Sequence, residues 1–219
     1  DNARPATCKV GKQDIYGWYN NRITNEPADQ EVIVVKFFDE AGMPFAGLVN
    51  WATHSATCGQ AETRLNSEFA GMTSKKLERH FGFFPAMIVG AAGDCSNRNM
   101  RQGTGVEEAE RISSGIAPEI AAIPVETEVA LRGIRVQTLF HTVHNEGGHL
   151  DIRGCVISLG GLHLFVAPLE WGAKLGKQMK AACPQQGLIF GYTGGYYEYW
   201  LPREEYGLSF ETQKSIVPK

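Results

Sequence analysis

The sequence lacks any long apolar run. Its most apolar stretch, residues 155–169, is interrupted by two glycines, a histidine and a proline, and it is shorter than the ~20 residues that a membrane-spanning helix needs. We therefore predict no transmembrane segment. A basic excess is also missing, since 21 Lys and Arg face 24 Asp and Glu for a net charge of −3. Nucleic-acid-binding proteins carry a basic face, so the charge balance argues against nucleic acid as a partner.

Paired cysteines, phosphate loops and a leader sequence are missing as well. The five cysteines are an odd number without a Cys-x-x-Cys pair, and a chain of this size buries enough core to fold without disulfides. The glycines at 90–93 lack the spacing of a dinucleotide-binding fingerprint. The chain starts at Asp1 with neither the basic nor the apolar region of a signal peptide, so we expect a processed product or a piece of a longer protein.

The hydrophobic patterning predicts strands and helices in alternation. The first 30 residues are polar and rich in Gly, Asn and Pro, which predicts loop. Apolar runs and period-3.6 patterns predict the other elements. Strands are expected at 31–38, 45–51, 86–91, 155–159, 162–166 and 188–191, one or two short strands within 127–140, and helices at 67–81, 106–123 and 170–182. This order indicates an α/β or α+β fold with a mixed sheet flanked by helices, and we interpret residues 1–219 as one domain.

Residues of catalytic type follow directly after four of the predicted strands. His54, Ser96 and Glu170 each follow such a run, and a glycine- and tyrosine-rich segment, 191–199, follows the last strand. Rigid scaffolds hold reactive groups in loops at strand ends, so four such junctions predict one shared cleft. Taken singly, each has an ordinary structural explanation: a loop histidine, a turn serine, an acidic helix start and packed aromatics.

A second histidine-rich segment offers a competing metal site. His141, His144, His149 and Asp151 include enough imidazoles to bind zinc. However, His141 and His144 are three residues apart at a predicted strand end and would point to opposite faces. We interpret the segment as a surface loop and keep zinc binding there as the alternative.

Taken together, the four junctions resemble the neutral/alkaline (non-lysosomal) ceramidase family, including its shorter bacterial members. Order and spacing agree over most of the chain. The last matching stretch follows the family's Gly-…-Tyr-x-x-Tyr-…-Glu-Glu-Tyr pattern without a gap. The matching stretches are 29–54, 66–71, 89–96, 164–170 and 191–206.

The resemblance implies a zinc ion held by two histidines, a glutamate and a tyrosine. It assigns the second histidine to His54, the glutamate to Glu170 and the tyrosine to Tyr199. It also implies a catalytic serine at Ser96, in the family's Gly-Asp-x-Ser turn, and an arginine that helps to bind the substrate amide at Arg22. Zinc takes nitrogen and oxygen ligands and activates water, which accounts for these residue types.

The sequence departs from the family pattern in two places. The family's first zinc histidine lies in a His-Thr-His-Ser stretch upstream of all matching segments, and this chain has no such stretch. A tyrosine that follows the zinc tyrosine by about a dozen residues corresponds to Phe210, so a hydroxyl that could contact the substrate is lost. Ceramide itself is therefore not assumed as the substrate.

The sequence thus predicts a zinc-dependent hydrolase that cleaves an N-acyl or other amide bond in a small molecule or a lipid. The alternative is a non-catalytic ceramidase-like domain with an incomplete metal site that binds a ligand or partner. The resemblance implies secretion or a periplasmic location. A sheet left exposed by a missing half would favour a homo-oligomer.

Overall fold

The computed structural model describes residues 4–24, 26–145, 148–183 and 185–215. Within these residues the strands are β1 (Thr7–Asp14), β2 (Asn20–Asn21), β3 (Glu31–Phe38), β4 (Pro44–Trp51), β5 (Ala86–Val89), β6 (Cys95–Ser96), β7 (Thr127–Val129), β8 (Arg135–Asn145), β9 (Gly148–Leu159), β10 (Leu162–Val166), β11 (Glu170–Trp171), β12 (Gln186–Phe190) and β13 (Tyr199–Trp200). The helices are α1 (Glu68–Phe81), α2 (Val106–Ala121), α3 (Ala173–Ala182) and α4 (Phe210–Lys214), with a 3-10 turn at Arg203–Glu205.

The structure contains two main sheets, whereas the sequence predicted one. The larger has five strands in the order β5-β4-β3-β1-β7, and the smaller has four in the order β12-β10-β9-β8. Each combines antiparallel pairs with one parallel pair, β4 with β5 and β10 with β12. Two short ladders, β11–β13 and β2–β6, complete the strand pairing of the described residues. The predicted α/β fold with mixed sheet pairing is confirmed, divided over two sheets.

Strand β3 shows why the sheets stack. Its central residues are apolar and buried on both faces, as the continuous Val-Ile-Val-Val run predicted. Val32 and Val34 belong to the core that contains α1 and α2, whereas Ile33 and Val35 share a second core with Leu162 and Leu188 of the smaller sheet. Helix α3 packs on the far side of that sheet. The layers therefore run helix, sheet, sheet, helix.

Three expectations about secondary structure are wrong. The first 30 residues are not mainly loop, because β1 pairs with β3 over eight positions and with β7 on its other side. Only Cys8 and Val10 of that strand are large apolar residues, so its sequence carried a weak signal. Helix α3 begins at Ala173 rather than at residue 170, since the two preceding residues pair with β13.

The third correction concerns the histidine-rich segment. The predicted surface loop is a long β-hairpin formed by β8 and β9, whose register pairs His144 with His149 and His141 with Ile152. His141 stacks on Trp200, with ring centroids 6.5 Å apart. The turn residues 146 and 147 lie outside the described residues.

The remaining expected elements are present. The β3–β4 hairpin, α1, α2 with its internal Pro118, and the β9–β10 hairpin all form where the patterns predicted them. All five cysteines are free thiols. No helix of the described residues combines the length and the apolarity needed to cross a membrane.

We predict that Gly176→Ala destabilises the protein. Alanine normally favours a helix over glycine by about 0.5–1 kcal/mol, but here the new Cβ would lie 2.2 Å from the Cβ of Ala91. Forcing α3 away from the sheet should lower the free energy of unfolding by about 1–3 kcal/mol, measured by urea titration. Gly59→Ala is the control, because its Cβ would meet nothing within 4 Å. Equal effects of the two substitutions would contradict this account of the packing.

Candidate functional site

One polar pocket is lined by four of the five residues that the sequence analysis assigned to a functional site. Arg22, His54, Ser96 and Tyr199 line it, and its volume is about 230 Å³. The fifth residue, Glu170, lies against His54, with 3.1 Å between Glu170 Oε2 and His54 Nε2. The other lining residues are Ser55, Ala56 and Arg98. The four junctions identified in the sequence therefore meet at one place.

Short strand pairings position His54 and Ser96 side by side. The backbone of His54, just beyond β4, forms an isolated parallel bridge with Ser96, and its N–H donates to the carbonyl of Cys95 at 3.2 Å. Strand β6 also pairs with β2, which places Asn20 opposite Ser96. Backbone hydrogen bonds thus fix the positions from which both side chains extend.

The buried carboxylate of Asp94 anchors the turn that carries Ser96. It accepts a hydrogen bond from the N–H of Ala173 at 2.8 Å and one from Asn21 Nδ2 at 2.9 Å. The N–H of Arg22 donates to the Asp94 carbonyl at 2.7 Å. The turn is therefore tied both to the start of α3 and to β2.

Arg22 is held by two further contacts. Its Nη1 forms an ion pair with Glu211, and its Nη2 donates to the carbonyl of Gly93 at 3.1 Å. Both charged side chains are mostly buried. Their charges neutralise each other, so Arg22 has a fixed position beside the pocket and little free charge.

Glu170 is positioned by the β11–β13 ladder. Its N–H donates to the carbonyl of Glu198 at 2.9 Å, and its register partner across the ladder is Tyr199. The side chain is buried. Burial raises the pKa of this carboxyl, but hydrogen bonds from His54 and Tyr196 outweigh burial and leave the pKa below its usual value. Glu170 is therefore an anion at neutral pH.

Two tyrosines that sequence reasoning did not assign contact Glu170 directly. The hydroxyl of Tyr192 donates to Glu170 Oε2 at 3.0 Å, and that of Tyr196 donates to Oε1. Tyr192 Oη also lies 3.3 and 3.4 Å from the two ring nitrogens of His54. Burial, followed by the charge of Glu170, raises the pKa of both phenols. The glycine- and tyrosine-rich composition of 191–199 indicated the segment but not which hydroxyls turn inward.

Tyr199 contributes to the pocket from the same ladder. Burial and then the nearby charge of Glu170 raise its pKa to about 12, so the phenol keeps its proton at neutral pH when no cation is bound. The following residue, Trp200, packs on the opposite side of the ladder against Trp171. Alternation along the strand thus directs the tyrosine to the pocket and the tryptophan to the core.

The donor set at this site suits zinc. Imidazole nitrogen, carboxylate oxygen and phenol oxygen are all available, and catalytic zinc sites take nitrogen and oxygen ligands. Two ligands at the usual zinc distances in a tetrahedral arrangement lie about 3.3 Å apart, and His54 Nε2 and Glu170 Oε2 are separated by 3.1 Å. The described residues contain no group of three or more His, Cys, Asp and Glu side chains placed to hold a metal, so tyrosine is needed to complete the set.

The histidine-rich segment, the competing candidate for a metal site, forms no such group either within the described residues. In the hairpin, His144 and His149 have ring centroids 6.3 Å apart, while His141 faces Trp200. Within the described part of the chain, these histidines and Asp151 do not converge on one point. Strand alternation places His141 on the face opposite to His144, His149 and Asp151.

The comparisons with known proteins identify the fold. No protein-family model and no curated protein matches the sequence. The solved structures that match include a ceramidase complexed with C2, with a TM-score of 0.80 and 15% identity. They also include the neutral ceramidase from Pseudomonas aeruginosa, with a TM-score of 0.77 and 17% identity. The two matches cover 97% and 96% of this chain, respectively. This chain in turn covers 50% and 49% of the two ceramidase chains. The fold implied by the sequence resemblance is confirmed, and the chain spans about half the length of these ceramidases.

A buried acid lies close to the Asp94 anchor. The Glu205 side chain is buried, and its Oε2 has no hydrogen-bond partner within the described residues. Burial, followed by the charge of Asp94, raises the pKa of Glu205 to about 7. The folded protein therefore holds a proton on Glu205 at pH values where the unfolded chain, with a carboxyl pKa near 4.5, has lost it.

We predict that Glu205 makes the folded state less stable as pH rises from about 4.5 to about 7. In that window the native state binds more protons than the unfolded state, so the free energy of unfolding falls by about 2–3 kcal/mol. Glu205→Gln should remove this decline and make the protein more stable than the parent at pH 8 in urea titrations. Glu126→Gln, a change of an exposed acid outside this cluster, should change the profile little. A parent-like decline in Glu205→Gln would refute the assignment.

Proposed function

We propose that the protein is a zinc-dependent hydrolase of an amide bond, acting on an N-acyl amide. The observation that supports this proposal is the convergence of His54, Ser96, Arg22 and Tyr199 on one pocket, with Glu170 against His54. The ceramidase fold agrees with it. These residues come from five separate segments of the chain, and chance alone would rarely bring such donors together with a serine.

His54, Glu170 and Tyr199 would hold the zinc ion. Zinc bound there would act as a Lewis acid and polarise the substrate carbonyl. Tyr192 and Tyr196 would orient Glu170 through their hydroxyls, as outer-shell hydrogen bonds commonly do for metal-binding carboxylates.

Ser96 is the nucleophile in this proposal. Its Oγ accepts a hydrogen bond from the N–H of Arg98 at 3.2 Å, which leaves its own proton free to be given away. Attack forms a bond from Oγ to the carbonyl carbon, the C–N bond breaks, and the amine leaves with the proton. Water then hydrolyses the ester, which releases the acid and restores the serine. Arg22, fixed by Glu211 and Gly93, would bind the substrate carbonyl.

Two features favour the alternative of a non-catalytic, ligand-binding domain. The chain contributes one histidine to the pocket, and Phe210 carries no hydroxyl where the family pattern has a tyrosine. Three protein ligands are nevertheless sufficient for catalytic zinc. Metal content and hydrolysis separate the two functions directly.

We predict about one zinc per chain, lost in His54→Ala and in Glu170→Ala. Each substitution removes one of three ligands, and Glu170→Ala also deprives two tyrosines of their acceptor. The measurement is metal analysis after dialysis, with circular dichroism to verify folding. His149→Ala is the control, because it removes a histidine from the β8–β9 hairpin. Zinc that survives in His54→Ala but disappears in His149→Ala would assign the metal to the hairpin instead.

We predict that Ser96→Ala keeps its zinc and loses hydrolysis. Removing the nucleophile should lower kcat by at least about 100-fold, with N-acyl amide substrates of different chain length as the assay. Ser55→Ala changes another serine of the same pocket and should retain most of the activity. If Ser96→Ala were as active as the parent, Ser96 would not be the nucleophile.

A further inference from the structure

The pocket wall carries a guanidinium that forms no ion pair with an acid of the described residues. Two arginines line it, Arg22 and Arg98. Arg22 is paired with Glu211, whereas the exposed Arg98 forms no ion pair in the described part of the chain. Glu170 keeps its negative charge but is engaged by His54 and two tyrosines, so Arg98 is the lining residue whose guanidinium has no acidic partner among the described residues.

Three other arginines of neighbouring segments do have partners. Arg111 forms a bidentate contact with Glu108, and Arg64 does so with Glu62. Arg101 donates to the carbonyl of Ala56 at 2.6 Å, directly behind the pocket wall. Arg98 is distinguished from these by its position in the wall and by its free charge.

The backbone fixes the point from which Arg98 extends. Its N–H donates to Ser96 Oγ, and the turn that follows is closed by hydrogen bonds from the N–H groups of Met100 and Arg101 to the Asn97 carbonyl, at 2.8 and 2.9 Å. The side chain therefore starts two residues from Ser96 on a defined turn. A substrate whose carbonyl reached Ser96 would present its neighbouring groups to Arg98.

The size and the polarity of the pocket limit what those neighbouring groups can be. Its volume of about 230 Å³ is below the roughly 300–1,000 Å³ of most ligand pockets. Its described lining consists of arginine, histidine, serine and tyrosine with a single alanine. A long apolar chain has little complementary surface here, whereas a small anionic group does.

We propose that Arg98 binds a carboxylate of the substrate, and that the substrate class is N-acyl amino acids rather than neutral lipid amides. This inference rests on the proposed amidase function of the same pocket. A guanidinium binds a carboxylate through two parallel hydrogen bonds, with both charge and geometry matched. Hydrolysis of such a substrate consumes one water and releases a carboxylic acid and a free amino acid.

The test compares two substrates that differ only in charge, N-hexanoylglycine and N-hexanoylglycinamide. We expect the zinc-loaded protein to favour the carboxylate in kcat/KM by about 10-fold or more, as for a hydrogen bond to a charged group. Arg98→Gln should bring this ratio close to one, mainly through KM, and Arg98→Lys should restore part of it. The preference should also weaken at high salt. Arg79→Gln, a change of an exposed arginine in α1, should leave the ratio unchanged.

Two results would overturn the inference. One is a wild-type ratio at or below one, and the other is a ratio that Arg98→Gln does not change. If neither compound is hydrolysed, the proposed function fails, and calorimetry with N-hexanoylglycine then decides about Arg98 separately. Binding that is lost in Arg98→Gln would support the carboxylate site, while absent or unaltered binding would refute it.

Discussion

The buried carboxylate of Asp94 is the contact on which the arrangement of the pocket depends. It accepts hydrogen bonds from the backbone of α3 and from Asn21, and its own carbonyl accepts one from the backbone of Arg22. A buried carboxylate is costly unless it is well paired, so these bonds favour one geometry of the turn. Ser96 is two residues further along the same turn. The position of the serine is thus set by a hydrogen-bonded side chain that does not line the pocket.

Glu170 is likewise a buried acid whose position is fixed by hydrogen bonds. Its carboxylate is buried but receives hydrogen bonds from two tyrosines and lies against His54. Proton-bearing groups surround the anion on several sides, which keeps its pKa low despite burial. The same oxygens are available to a cation. In the proposed function, this fixed orientation of the carboxylate would favour metal binding.

The sequence predicted those parts of the fold that depend on local patterns. The apolar run of β3 and the periodicity of α1 were sufficient to predict these two elements. The four strand-end junctions were sufficient to predict a shared cleft. Strand β1 was not predicted because its outward residues are polar. Its stability comes from pairing with β3 and β7. The predicted start of α3 was too early because residues 170 and 171 pair with β13 instead. This ladder joins segments about thirty residues apart, which a local sequence pattern does not reveal. The contacts of Tyr192 and Tyr196 depend on the course of one loop, which the composition of the segment does not determine.

The metal site proposed in the Ser96 pocket includes His54 and Glu170. A crystal of the zinc-loaded protein, with anomalous data collected on both sides of the zinc absorption edge, tests this most directly. We expect one anomalous peak within bonding distance of His54 Nε2 and a carboxylate oxygen of Glu170, with the Tyr199 hydroxyl as a third ligand. A peak between the histidines of the β8–β9 hairpin, or none in a fully loaded crystal, would contradict it.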